Sequence, residues 1–259
     1  MLPHIQRIEI FPIKSLSGIV VDSMDVLPSG ALRNDRALAL FDDEGVFING
    51  KRCDLIHAIR AEFSPDLLTV RLRHLDGLAS EWFALEVDNK KLELWLGEHL
   101  KRRIHLQSNR KTGFPDDLDS PGPTIVATST LETVAEWFPG IGLAEMRRRI
   151  RCNIEIGGVP PFWEDQLCGP KGTPRPFSMG PCTFHGINPC QRCNVPQKDS
   201  LTGQKTEGFA ELFARRRREA MPPWAQISQF NHFYRLCINT CVPNPHPGAT
   251  LRVGDEIRL

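Results

Sequence analysis

Hydrophobic and polar positions alternate through most of the first hundred residues of this 259-residue chain. In IQRIEIFPIKS, Ile5, Ile8 and Ile10 punctuate polar neighbours, the period-2 pattern of a half-buried strand. SGIVVDSMDVL is a second β-rich run. RALALFDDEGVFING predicts a hairpin, with Asp43, Glu44 and Gly45 as its turn. LLTVRLRHL, WFALEV and KLELWLG predict further strands, separated by turn residues such as Asp76-Gly77 and Asp88-Asn89. Short strands at this spacing point to a barrel or sandwich.

The pattern changes at SNRKTGFPDDLDSPGP, residues 108–123, which is rich in Pro, Gly and Asp and reads as a linker or long surface loop. A helix is predicted next. Ser129 is its expected cap, with Glu132 closing a capping box. Leu131, Val134, Ala135 and Phe138 share one face, and Pro139-Gly140 ends it. RIRCNIEIGG predicts a strand, PPFWEDQLCGPKGTPRPF an irregular stretch, and FAELFARRRREAM a helix with Phe209, Leu212 and Phe213 on one face. ATLRVGDEIRL predicts a strand, a Val-Gly-Asp turn and a last strand. The fold class expected is α+β and mainly β. A β-barrel-like domain over residues 1–107 would precede a mixed α/β domain over 108–259, itself built around a β-barrel.

Composition narrows the function classes. Hydrophobic residues make up 41% and charged residues 24%, ordinary values for a globular protein. The formal net charge of +1 provides no overall field for nucleic acid or a membrane surface. The opening MLPHIQRIEIFPIKS has no long apolar run and no cleavage-site pattern, so neither signal peptide nor anchor is expected. No window approaches the ~20 apolar residues of a membrane span. These readings make a cytoplasmic protein the expectation. Two arginine runs stand out. Arg215–Arg218 reads as a solvated helix face. Arg147–Arg151 starts a predicted strand, and an anion-binding role is assigned to Arg151.

Eight cysteines in a long chain without an export signal read as reduced thiols or metal ligands. Cys190 and Cys193 form a C-x2-C pair. With Cys237 and Cys241 they offer four thiolates for zinc, although alternation in FYRLCINTCV would bury those two as small apolar residues. Cys182 and His185 add further arithmetic for ligand sets. A thioredoxin-like pair needs a helix start, whereas Pro189 and Pro196 frame a loop. A single thiolate on a soft metal is the third reading. Arg192 would lower the Cys193 pKa where the two side chains meet. The following KDSLTG would offer N–H groups and hydroxyls to an anion.

PCQRC followed by NVPQKDSLTG resembles the signature of the MOSC family, close to the mitochondrial amidoxime reducing component and its bacterial relatives. In that family an Arg-Cys pair is followed by Asp six residues on and Thr-Gly at nine and ten. Asp199, Thr202 and Gly203 stand at those offsets. FPIKSLSG and GALRNDRALALFDDEGVFINGKR resemble the N-terminal MOSC β-barrel domain. RCNIEI, FWED and PGATLRVGDEIRL resemble later family segments.

The resemblance implies a molybdenum cofactor, with Cys193 as thiolate ligand and catalytic centre. It implies cofactor contacts from Lys14, Ser15, Arg36, Asp119, Ser120, Arg192 and Thr202, and a phosphate site at Arg151 and Asn153. Such an anionic ligand needs Arg, Lys and hydroxyl donors from several segments. The implied reaction is two-electron reduction of a small N-hydroxylated compound or N-oxide. The chain carries no flavin or NAD fingerprint. Electrons are therefore expected from a separate flavodoxin- or ferredoxin-like protein, docked on the Arg215–Arg218 surface. The alternative implied by the family is a sulfur carrier with a persulfide on the same cysteine. Cys190 reads as a small loop residue, and His185 as a loop histidine or a proton shuttle. Asn194, Val195, Pro196 and Gln197 depart from the family pattern, and GPKGTPRPFSMGPC is longer than the family leads one to expect.

Overall fold

The computed structural model describes residues 2–243 and 248–259, which form fifteen strands and four α-helices. The first half supplies β1 (His4–Ile10), β2 (Ile19–Val21), β3 (Ser23–Asp25), β4 (Leu38–Phe41), β5 (Ile59–Phe63), β6 (Thr69–His74), β7 (Ala79–Ala84), α1 (Asn89–Leu100) and β8 (His105–Ser108). The second supplies β9 (Ile125–Ala127), α2 (Thr128–Glu136), α3 (Leu143–Ile150), β10 (Ile154–Gly157), β11 (Arg175–Met179), β12 (Cys182–Gln191), α4 (Phe209–Glu219), β13 (Arg235–Cys241), β14 (Thr250–Arg252) and β15 (Ile257–Arg258). The fold is α+β and mainly β.

The opening strand folds into the sheet of the second half. Ile5, Ile8 and Ile10 are fully buried, and their uneven spacing marks a register shift between Ile5 and Arg7. That bulge returns Ile8 to the face of Ile5. β1 pairs antiparallel with β2 on one side and β10 on the other. The full order of this eight-stranded sheet is β15-β11-β12-β13-β9-β10-β1-β2. Its ends approach each other: Ile5 N–H donates to Asp255 O at 2.8 Å and Ile257 N–H to Pro3 O at 2.9 Å. The curled sheet encloses one core, with Ile8, Ile156, Phe177, Phe184, Ile238 and Leu251 among its members. A second core lies under β4 to β8 and α1, and a third under α2, α3 and α4. In the third, the Phe138 and Phe209 rings stack at 4.1 Å.

Several predicted elements change. KLELWLG is part of helix α1, not a strand. Leu92, Leu96 and Leu100 recur every four residues and are buried, while Leu94 is 75% exposed. The expected cap Ser129 lies inside α2, where its hydroxyl donates to Val159 O at 2.9 Å. No capping box forms. Arg147–Ile150 closes helix α3, so the first arginine run is helical and only Ile154–Gly157 is strand. In the predicted hairpin after β4, Phe41 meets Phe47 through a single bridge, and β4 pairs along its length with β8. The two closing strands pair with β3 and β11, not with each other. Pro247 of the segment PGATLRVGDEIRL lies outside the described residues.

The second arginine run is not wholly solvated either. Arg217 is 1% exposed, and its Nη2 donates to Asp165 Oδ2 at 2.5 Å. Its guanidinium also lies over Phe162, 4.4 Å from the ring centroid. Glu164 is buried beside this pair and accepts from Thr130 Oγ1 at 2.9 Å. Burial, with the Asp165 charge beside it, pushes the Glu164 carboxyl up to about 8.

Two outcomes follow. Arg217→Ala strands a buried carboxylate and costs about 3–5 kcal/mol in denaturant melts. Glu164 stays protonated in the folded chain while it ionises in the unfolded one. Its contribution to stability is therefore full below about pH 4.5 and is lost as pH rises to about 8. Glu164→Gln flattens that dependence, so the urea midpoints at pH 5 and pH 8 differ less in the variant than in wild type. Parallel pH profiles for the two would contradict it.

Candidate functional site

A cavity of about 1210 Å³ opens between the two halves of the chain, and both line it. Eleven lysines and arginines and four carboxylates face it, against a net charge of +1 for the whole chain. Positive charge is thus concentrated in one concave place.

Cys193 sits two residues beyond β12 and is partly exposed on the cavity wall. Val195 N–H donates to its sulfur at 3.5 Å. The loop that follows is held from both sides. Lys198 Nζ reaches Gly50 O at 2.9 Å and Asp54 Oδ1 at 2.5 Å, and Arg60 donates to Ser200 O. From α3, Glu145 accepts Ser200 N–H at 2.9 Å, and Arg149 donates to Thr206 Oγ1 at 2.9 Å. Cys190 differs from its partner. It is buried, its thiol donates to Asn239 Oδ1 at 2.6 Å, and burial pushes it up to about 12. Arg192 reaches Ile150 O at 2.6 Å through Nη2, while its buried Nε has no partner among the described residues.

The cations opposite come from two chain segments brought together by the β1–β10 pairing. Arg151 ends α3 in the left-handed region, with φ 57°, and its guanidinium stands 4.1 Å from the Phe11 ring centroid. It has no side-chain hydrogen-bond or ion-pair partner among the described residues. Burial, then the nearby Arg36 charge, lowers its pKa to about 10. Arg36 also has positive φ, 50°, and pairs with Asp35 and, at 3.3 Å, with Asn153 Oδ1. Lys14 Nζ donates to Phe114 O at 2.8 Å and Asp116 Oδ1 at 2.9 Å, and burial lowers its pKa. Ser15 beside it has φ 74°. Left-handed backbone costs on the order of 1–3 kcal/mol at a non-glycine residue, and such strain gathers at binding sites. Ser120 also lines the cavity, is 5% exposed, and leaves its hydroxyl without a partner among the described residues.

Eight of the sequence-predicted residues therefore share one wall system: Lys14, Ser15, Arg36, Ser120, Arg151, Asn153, Arg192 and Cys193. Asn153 is also a strut, since its Nδ2 donates to Glu9 O at 3.1 Å and its Oδ1 accepts from Thr124. Asp119 and Thr202 do not line the cavity. Asp119 is exposed. Thr202 donates from Oγ1 to Asp199 Oδ1 at 3.0 Å and accepts from Gln204, which makes it part of a tight turn. His185 lies on β12 opposite Cys241, away from the cavity. Among the described residues no three His, Cys, Asp or Glu side chains converge as metal ligands, which removes the four-thiolate zinc arrangement. Sequence reasoning missed Phe11, Arg60 and Lys198, whose roles come from contacts across the two halves. Phe11 begins FPIKSLSG and Lys198 begins KDSLTG, though neither was singled out, and no pattern marks Arg60.

Residues 2–104 match the family of the MOSC N-terminal beta barrel domain. Over 225 residues the chain is 23% identical to a molybdenum cofactor sulfurase of Caenorhabditis elegans, an alignment that covers 78% of this chain and 30% of that protein. The molybdenum cofactor sulfurase of Caenorhabditis briggsae is 23% identical over 226 residues, covering 79% and 30%. The chain thus spans about 30% of the length of these curated relatives.

Ser120 offers a direct check that the cavity is built for a ligand. An unsatisfied buried hydroxyl costs about 1 kcal/mol or more. Ser120→Ala is expected to raise the urea-melt stability of the ligand-free protein by about 1 kcal/mol. A destabilised variant would mean that the hydroxyl serves the fold.

Proposed function

We propose, with residues 2–104 a MOSC N-terminal beta barrel domain, that the cavity binds the molybdenum cofactor and that the chain is an oxidoreductase. Its substrates would be small N-hydroxylated compounds or N-oxides. The observation that carries this reading is the company Cys193 keeps: a partly exposed thiol sharing one cationic cavity with the Arg151 guanidinium and the Ser120 hydroxyl, neither of which has a hydrogen-bond partner among the described residues.

The donors fit a phosphate-bearing pterin with a soft metal. Arg151 and Ser120 would hold the phosphate, Arg36 and Lys14 the remaining negative charge, and Cys193 the metal. The bound group would supply two-electron chemistry on the N–O bond. The chain's own part is placement. Val195 N–H directs a donor at the Cys193 sulfur. Burial keeps the Cys190 thiol protonated, so one sulfur of the pair is available. Lys14 is held in position by Asp116, and Arg36 by Asp35. Electrons would come from a separate flavodoxin- or ferredoxin-like protein, for which the exposed Arg215, Arg216 and Arg218 form a basic landing surface. No helix among the described residues is long and apolar enough to cross a membrane.

A second reading has its own support. The aligned relatives are named as molybdenum cofactor sulfurases, and Cys193 is accessible enough to carry a persulfide. The chain would then be a sulfur carrier in cofactor assembly.

One preparation separates them. The protein is purified from cells that make molybdenum cofactor, and molybdenum, zinc, pterin and labile sulfur are measured per chain. Near-stoichiometric molybdenum and pterin in wild type are expected. Cys193→Ala loses the molybdenum, and Arg151→Ala lowers pterin occupancy by about tenfold. Labile sulfur on Cys193 without molybdenum would select the carrier reading, and zinc lost from Cys193→Ala would remove both.

A further inference from the structure

The segment GPKGTPRPFSMGPC supplies part of the cavity rim. Lys171, Gly172, Thr173 and Pro174 all line it. The loop is built rather than slack. Gln229, 7% exposed, donates from Nε2 to Gly169 O at 2.9 Å and to Ile187 O at 3.2 Å. Lys171 N–H donates to Ser228 Oγ at 3.2 Å, and Thr173 N–H to Pro170 O at 2.9 Å. A Cβ on Gly169 would stand 2.3 Å from Thr173 O, so only glycine permits this turn to close.

What the loop presents is a cation without a partner. Among the described residues the Lys171 ammonium makes no hydrogen bond or ion pair. Arg235, the other cation on this side, is already committed to Pro189 O at 2.7 Å and Asn231 Oδ1 at 2.7 Å. The cavity also exceeds the ~300–1,000 Å³ of ordinary small-molecule pockets, which leaves space for a substrate beside a cofactor.

We propose that the Gly169–Pro174 loop is a specificity element and that Lys171 receives a carboxylate on the substrate. The inference rests on the reduction reading for the N–O group, and on the loop alone for the acid. The favoured substrates are N-hydroxylated or N-oxide compounds that carry a carboxylate away from the N–O bond. Lys171 is exposed at the rim, so the interaction is a screened one, worth about fivefold in affinity at low salt.

The test uses molybdenum-loaded protein with benzamidoxime and its para-carboxylate. Calorimetry measures binding of each to wild type, Lys171→Gln and Lys171→Arg. A parallel assay measures turnover with a reduced viologen as electron source: the N–OH group takes two electrons and two protons, giving N–H and water. Wild type is expected to bind the acid about fivefold tighter than the neutral compound. Lys171→Gln brings that ratio to about one, Lys171→Arg restores it, and added salt erodes it. Equal binding of the two compounds by wild type, or a ratio unmoved in Lys171→Gln, overturns the proposal. Preserved binding preference without turnover overturns the reduction reading and leaves the Lys171 assignment standing.

Discussion

The site depends on the register between β1 and β10. These strands are about 150 residues apart in sequence, yet Ile8 stands opposite Ile154 and Glu9 N–H donates to Asn153 O at 2.8 Å. That register puts the residues after β1, which include Phe11, Lys14 and Ser15, against those before β10, which include Arg151 and Asn153. Buried isoleucines on both strands fix it, because a one-residue slip would turn each apolar set toward the wrong face. The bulge after Ile5 belongs to the same arrangement. Without it Ile5 and Ile8 would point to opposite faces. The cavity is therefore a consequence of core packing: apolar pairing aligns the strands, and polar residues just beyond their ends meet as a result.

Gathering positive charge in a cavity is expensive. Arg151 shows the cost directly, since burial and Arg36 bring its pKa down to about 10. Lys14 is lowered for the same reason. Asp35 and Asp116 offset part of the repulsion but neutralise only the cations they touch. An anion that binds there relieves what remains, so its binding free energy adds to the stability of the fold. The strained backbone at Ser15, Arg36 and Arg151 fits this account. Arg151 is held as a helix cap, and Arg36 by Phe11 O and Asp35. Donors already fixed in place lose little entropy when a ligand arrives.

Much of this was legible in the sequence, and the failures have physical causes. Strands with one buried face announce themselves by alternation, as β6 does, whereas β1 alternates only beyond its bulge. KLELWLG failed because apolar residues at 92, 94 and 96 fit period 2 as well as they fit a helix; only Leu100, one turn further on, extends the helical stripe. The arginine runs failed because burial of a guanidinium depends on its partner. Glu145 lies four residues before Arg149 and is visible locally, whereas Asp165 is 52 residues from Arg217. At the site, composition and spacing alone left the cysteine pair open among zinc, redox and single-thiolate readings. The family resemblance drew the residues together, and eight of them line one cavity. Thr202 parts from that set because its hydroxyl is spent on the Asp199 turn.

The Cys193 loop shows why the two halves of the chain act as one unit. Its apex is fixed by Lys198 and Arg60 contacts with the first half, and its flank by Glu145 and Arg149 of α3. Gly203 allows this closeness, since a Cβ there would come within 3.3 Å of His57 and 3.2 Å of Asp54 O, at a φ of +72°. A thiol on an untethered loop would sample many positions, and each would weaken its alignment with the cations opposite. Tethering from both halves removes that freedom in advance. The N-terminal half is thus part of the site as well as its neighbour: it contributes Lys14, Ser15 and Arg36 to the wall and holds the loop that carries the sulfur.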